Sequence, residues 1–154
     1  MPRTRGEAWR WALAACALVV AVDQGAKAAV LAGIARGQEV SLPLGFSLAR
    51  VANHGVAFGF LGGGGPLVVA VTIIALASVV GWFAFDPLRP ALWLAVGLIG
   101  GGALGNLADR ARTGAVTDFI DPPLWPAFNV ADVAITVGAL VLVAIALRPE
   151  RGPS

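Results

Sequence analysis

The sequence predicts an all-α polytopic membrane protein, with four transmembrane helices and a small extracytoplasmic β-sheet. Three observations carry that expectation. Of 154 residues, 58% are hydrophobic and only 13% charged, where a soluble domain carries about a quarter charged residues. Four apolar stretches reach the length of about 20 residues that a bilayer requires. The chain has one cysteine, Cys16, and one histidine, His54. That excludes an internal disulfide and any cysteine-based or multi-histidine metal site, so neither metal nor cofactor is expected. The net charge of +2 is too small and too scattered for a nucleic-acid surface. The high hydrophobicity excludes disorder.

The spans are expected at about 9–32, 66–85, 91–107 and 130–147, within one integral membrane domain over 1–154. Arg3, Arg5 and Arg10 precede the first apolar run, as in a secretion signal. Apolar character resumes after Asp23 and Lys27 without a small-x-small cleavage site, so the segment reads as a retained span. Pro90 suits the first turn of the third span. With the N-terminus inside, Arg3, Arg5, Arg10, Arg89, Arg148 and Arg151 face the cytoplasm, against Arg36, Arg50, Arg110 and Arg112 outside, a positive-inside bias. Two larger segments, 33–65 and 108–129, then lie outside. In the first, Val40, Leu42, Leu44, Phe46 and Leu48 alternate as in a half-buried strand. Pro43 and Gly45 break the run, so a short bent sheet is expected. Gly62–Gly65 reads as a hinge.

Ionisable groups at membrane depth are costly and mark function or pairing. Asp23 and Lys27 stand at i, i+4 on one face of the first span, the spacing of an ion pair. Gly97, Gly101 and Gly105 recur four apart, which permits close helix packing in lipid. Asp109 has Arg110 beside it and Arg112 three residues on, so it reads as an ion-pair anchor. Asp118 has no adjacent arginine and apolar neighbours, a setting that raises a carboxyl pKa. Asn129 and Asp132 have the spacing of a capping box at the start of the fourth span. The proline-rich turn of Pro122, Pro123 and Pro126 can fold Asp118 and Asp132 together across 132 − 118 = 14 positions. Two close carboxyls share a proton and titrate as a pair. That is aspartic-protease chemistry, which needs two acids and no metal. No Gly-x-Ser-x-Gly or His-Glu-x-x-His pattern supports another proteolytic route. His54 reads as a surface hydrogen-bonding residue.

The ordered motifs are Asp23-Gln24-x-x-Lys27, Asn53-x-Gly55-x-Ala57-Phe58, Gly101-Gly102-x-x-Gly105-Asn106-x-x-Asp109-Arg110, Val116-x-Asp118-Phe119 and Phe128-Asn129-x-Ala131-Asp132. Together they resemble the bacterial lipoprotein signal peptidases, or signal peptidase II. The resemblance implies an aspartic endopeptidase of the bacterial cytoplasmic (inner) membrane with its active site on the extracytoplasmic side. It implies a lipidated prolipoprotein as substrate, cut just before the cysteine that carries diacylglycerol. By motif match, Asp118 and Asp132 form the catalytic dyad. Asn53, Asn106, Arg110 and Asn129 line the substrate site, Asp23 and Lys27 support it, and Asp109 is the alternative acid. The stretch from Asp118 to Asn129 is shorter and richer in proline than the family pattern. Of the pair, Asp132 is expected to be ionised more often and Asp118 to hold the proton. Membrane lipids are the other expected partner, with no nucleic acid and a monomer favoured. The rival readings are a transporter or proton relay, and a structural membrane subunit.

Overall fold

The computed structural model describes residues 1–55 and 64–148. Motif positions Ala57 and Phe58, residues 62 and 63 of the expected hinge, and the tail from 149 lie outside them. The first helix, α1, spans Arg5–Gly33. It begins before the apolar run because Thr4 Oγ accepts from Glu7 N at 3.2 Å while the Glu7 carboxylate accepts from Thr4 N at 3.3 Å, a capping box. Helix α2, Gly64–Phe85, is apolar all round. Its hydroxyls, Thr72 and Ser78, donate to the carbonyls of Val68 and Ile74, so neither faces lipid unpaired. Helix α3 spans Leu92–Thr113 and α4 spans Val130–Ala146. Helices α1, α2 and α3 are long and apolar enough to cross a membrane, and α4 is a shorter apolar helix.

Two helix boundaries differ from expectation. Pro90 lies outside α3, because Ala91 takes a left-handed conformation at φ 67° and the helix begins only at Leu92. At the other end α3 continues past Leu107 to Thr113, where Gly114 at φ 76° closes it. Asn106 and Asp109 find partners inside the protein, and Arg110 and Arg112 in the last turn suit the negative end of the helix dipole. Both acid and amide therefore sit on the helix, not in the loop beyond it.

Three short strands lie at one end of the bundle: β1 (Glu39–Ser41), β2 (Ser47–Asn53) and β3 (Val116–Asp121). They form an antiparallel sheet in that order. A single 3-10 turn, Pro43–Gly45, joins β1 to β2. Strand β1 is exposed throughout, not half-buried as its alternation suggested; it is a sheet edge with nothing packed over it. The third strand comes from 116–121, a segment with no strong alternation. Phe119 anchors it in a buried cluster with Val30 of α1 and Ile34, the residue that caps that helix. After β3 the prolines turn the chain back, and Ile120 and Phe128 exchange backbone hydrogen bonds at 2.9 Å each way. That closure delivers Asn129 to the start of α4.

Helix α3 is the centre of the bundle, and its glycines set how closely the others approach. A Cβ at Gly97 would lie 2.6 Å from Ala15 Cβ, and one at Gly101 would lie 2.6 Å from Val19 Cβ, both on α1. At Gly102 it would lie 2.5 Å from Ala131 O on α4. The stripe is therefore a packing device on two faces. Gly101→Ala and Gly102→Ala are each expected to cost about 1–3 kcal/mol, the usual penalty for overpacking, in SDS-driven unfolding from mixed micelles. Gly25→Ala, with nothing within 4 Å of the added methyl, should unfold no more easily than the parent.

Candidate active site

Asp118 is the buried acid of the sheet. In the β2–β3 register it stands opposite Val51, and Asn53 stands opposite Val116, so Asn53 and Asp118 share a face. Asn53 Nδ2 donates to Asp118 Oδ2 at 2.9 Å. Asn53 is itself fixed by a turn: its Oδ1 accepts from Gly55 N at 2.8 Å, with Gly55 at φ 78°. Asp118 Oδ1 accepts from Asn129 Nδ2 at 2.6 Å.

Asn129 caps α4, as its sequence position suggested. Its Oδ1 accepts from Asp132 N at 3.0 Å and its own N–H donates to Asp132 Oδ2 at 3.1 Å. This one fully buried residue therefore touches both acids, Asp118 through its side-chain amide and Asp132 through its backbone. Asn106 closes the other side, donating from Nδ2 to Asp132 Oδ1 at 2.9 Å and accepting from Asn129 Nδ2 at 3.2 Å. The residue that caps α4 is thus also the one that links the two acids. Asp132 also lines a cavity of about 290 Å³ with Trp125, Phe128, Val133, Thr136 and Val137.

Burial pushes the Asp118 carboxyl above its ordinary pKa, and the neighbouring Asp132 charge adds to that. Amide donors from Asn53 and Asn129 and the charge of Lys27 oppose the rise without cancelling it. A desolvated acid beside a second carboxyl is a group suited to hold a proton near neutral pH.

Beneath this layer lies a second one, built on Lys27. Its ammonium meets Asp23 Oδ2 at 2.8 Å, Asp109 Oδ2 at 2.9 Å and Asn106 Oδ1 at 3.0 Å. Three N–H donors thus have three acceptors. The Asp23–Lys27 pair expected from spacing is present. The expected Asp109 anchor to Arg110 and Arg112 is not: Asp109 pairs with Lys27. Adjacent residues on a helix do not face one another, and Arg112 instead donates to Gln24 Oε1. Arg110 is half-buried and enters no salt bridge among the described residues. Asp109 also accepts from Gln24 Nε2 at 3.0 Å and from Thr117 N at 3.1 Å, so its oxygens are committed away from Asp132.

Gln24 was the polar residue that motif reading quoted without assigning. Its Nε2 also reaches Asp23 Oδ2 and Gly105 O. The signal available was its amide at membrane depth next to an acid. Gly105 is obligatory here, since a Cβ would come within 2.6 Å of Asp23 Oδ2. His54 is exposed, as expected of a surface residue.

The chain matches the family model described as signal peptidase (SPase) II over residues 15–148. It is 48% identical to a lipoprotein signal peptidase of Pelotomaculum thermopropionicum, covering 82% of this chain and 84% of that one. It is 40% identical to a lipoprotein signal peptidase of Nitratidesulfovibrio vulgaris, covering 94% and 95%. The fold is similar to two bacterial membrane enzymes solved by the in meso method. One gives a TM-score of 0.80 at 29% identity, covering 93% of this chain and 94% of that chain. The other gives 0.77 at 30%, covering 89% and 92%.

Lys27→Met leaves two buried carboxylates without their cation. It is expected to cost about 3–5 kcal/mol, as for one broken half of a buried pair, measured by the same unfolding assay. Asp118 should give stability its own pH dependence. Its native pKa is raised, so its contribution is full below the unfolded carboxylate value and is lost as pH rises through the native one. Asp118→Asn should remove that part of the slope in thermal midpoint against pH, and an unchanged slope would contradict the burial argument.

Proposed function

The chain belongs to the signal peptidase II family, and on that premise we propose that this peptidase removes signal peptides from bacterial prolipoproteins by aspartic chemistry at Asp118 and Asp132. One observation carries the assignment of the acids: Asn129 donates to both, at 2.6 Å and 3.1 Å. Asp109, the alternative partner, has its oxygens engaged by Lys27, Gln24 and Thr117 N.

Asp118 holds the shared proton, consistent with the upward push of burial on its carboxyl. Asp132 stands in the first turn of α4, where the helix terminus favours negative charge. Asp132 takes a proton from water as the water oxygen bonds to the scissile carbonyl carbon. Asp118 gives its proton to the carbonyl oxygen, forming a neutral gem-diol. Proton return from Asp132 to the amide nitrogen releases the new amine as the C–N bond breaks, and a diol proton goes back to Asp118. Asn53, Asn106 and Asn129 hold the carboxyls in place, and Arg110 is assigned to the substrate by its motif position alone. The cavity along α4 gives the substrate's helix an apolar wall beside Asp132.

The substrate is a prolipoprotein whose cysteine carries diacylglycerol, cut just before that cysteine, with its acyl chains in the bilayer. Family membership points to the bacterial inner membrane, and the arginine distribution favours the sheet and acids on the outer side with both termini inside. The whole chain acts as one membrane domain. A proton relay is not favoured: α2 carries no ionisable side chain, and the acid of α4, Asp132, sits at its very start.

Asp118→Asn and Asp132→Asn should each lower cleavage of a diacylglyceryl-modified prolipoprotein by roughly 10²–10⁴-fold in protein that still unfolds cooperatively, and unmodified prolipoprotein should stay uncut. Near-normal cleavage by either variant would show the pair to be misassigned. So would abolition by Asp109→Asn alone in a protein of parental stability.

A further inference from the structure

The two faces of the sheet differ. Asp118 and Asn53 lie on one, while Thr117, opposite Ala52 in the register, lies on the other. On that second face, between the sheet and the ends of α1 and α3, is a cavity of about 430 Å³. Arg36, Arg50 and His54 line it together with Leu31, Thr113 and Thr117, and no acid does. Neither arginine enters a salt bridge among the described residues. Two guanidiniums from separate segments thus line one hollow without a counter-ion among the described residues.

The floor of this hollow continues along α1. A second, smaller cleft of about 130 Å³ shares Leu31, Thr113 and Thr117 with it, adds Ala28, and reaches Gln24, Lys27, Asp109 and Arg112 of the supporting network. Leu31 is 41% exposed on a helix apolar enough to cross the membrane. The crevice is basic where Arg36, Arg50 and His54 meet and has an apolar wall at Leu31 and Ala28, both exposed. That polarity matches an amphiphile with an anionic head. Guanidinium is also suited to phosphate, which it meets with paired N–H donors.

We propose that the crevice holding Arg36, Arg50 and His54 binds the phosphate headgroup of an anionic membrane phospholipid, with an acyl chain against Leu31 and Ala28. Among the described residues the hydrogen bonds of Asp118 and Asp132 come from Asn53, Asn106 and Asn129 and not from Arg36 or Arg50, so lipid binding and peptide cleavage are separable properties.

The test uses the full-length chain in mild detergent, titrated with phosphatidylglycerol, with phosphatidylcholine and with inorganic phosphate, and read by native mass spectrometry. The parent should retain phosphatidylglycerol over phosphatidylcholine, and rising salt should weaken that retention. Arg36→Gln combined with Arg50→Gln should lower it roughly tenfold or more, since each basic residue near a lipid headgroup contributes about fivefold. His54→Gln alone should lower it less. The arginine variant should keep its thermal midpoint in detergent, and in phosphatidylcholine its cleavage of lipidated prolipoprotein should be unchanged. Retention of phosphatidylglycerol independent of both arginines and of salt would overturn the proposal. So would equal retention of phosphatidylcholine, or complete displacement by millimolar inorganic phosphate, which would mark a site for small anions. A variant that keeps the lipid yet shows a raised KM for substrates with acidic residues after the cut would assign the crevice to the peptide instead.

Discussion

The Lys27 ammonium is the constraint on which the arrangement of the site depends. It is buried, and a buried charge is tolerated only when its partners satisfy it. Its two carboxylates reach further than the ion pair itself. Asp23 Oδ1 accepts from Ala131 N at 3.0 Å, and Asp109 Oδ2 accepts from Thr117 N at 3.1 Å. Ala131 immediately precedes Asp132, and Thr117 immediately precedes Asp118. Each supporting acid thus grips the backbone one residue before a candidate catalytic acid, and Lys27 ties the two grips together. Its third bond, to Asn106, reaches the carboxyl of Asp132 through the same amide. No buried side-chain N or O among the described residues lacks a partner, as a polar network in a low-dielectric interior requires.

The packing of the helices and this network are mutually dependent. Gly97 and Gly101 bring α1 against α3, and Gly102 brings α4 in from the other side. Only at that spacing can a lysine on α1 reach an asparagine and an aspartate on α3 at about 3 Å. The glycines supply proximity but little direction, since dispersion between small residues is tolerant of rotation. The charged bonds supply direction, and a membrane interior makes the alternatives to them expensive.

Much of this was legible in the sequence because lipid simplifies the reading. Hydropathy marked the helices, and any ionisable group within them stood out. The Asp23–Lys27 pair and the Asn129–Asp132 cap depend on local spacing, so they could be read locally. The partner of Asp109 could not. Its neighbours in sequence are arginines, while its neighbour in space comes from a helix more than 80 positions earlier, as the separation of 85 to Gln24 illustrates. Strand β3 was hidden for the same reason. Its identity comes from pairing with β2 and from Phe119 packing on α1, not from an alternation of its own. The glycine motif announced close approach, but not that Gly105 makes room for a carboxylate oxygen instead of another helix backbone.

The brevity of α4 has a consequence for the bilayer. Its 17 residues rise roughly 26 Å at 1.5 Å each, short of a hydrocarbon core about 30 Å thick. Thinning of the lipid beside the short helix is one of the ways such a mismatch is met. Leu124 and Trp125, 95% and 72% exposed on the turn leading into it, give that flank an interfacial aromatic of the kind that holds a fixed depth. Thinning on this side draws the water boundary down towards Asp132. With thinner lipid on this flank, hydrolysis at the proposed acids would need no aqueous channel, because the solvent would stand closer to them.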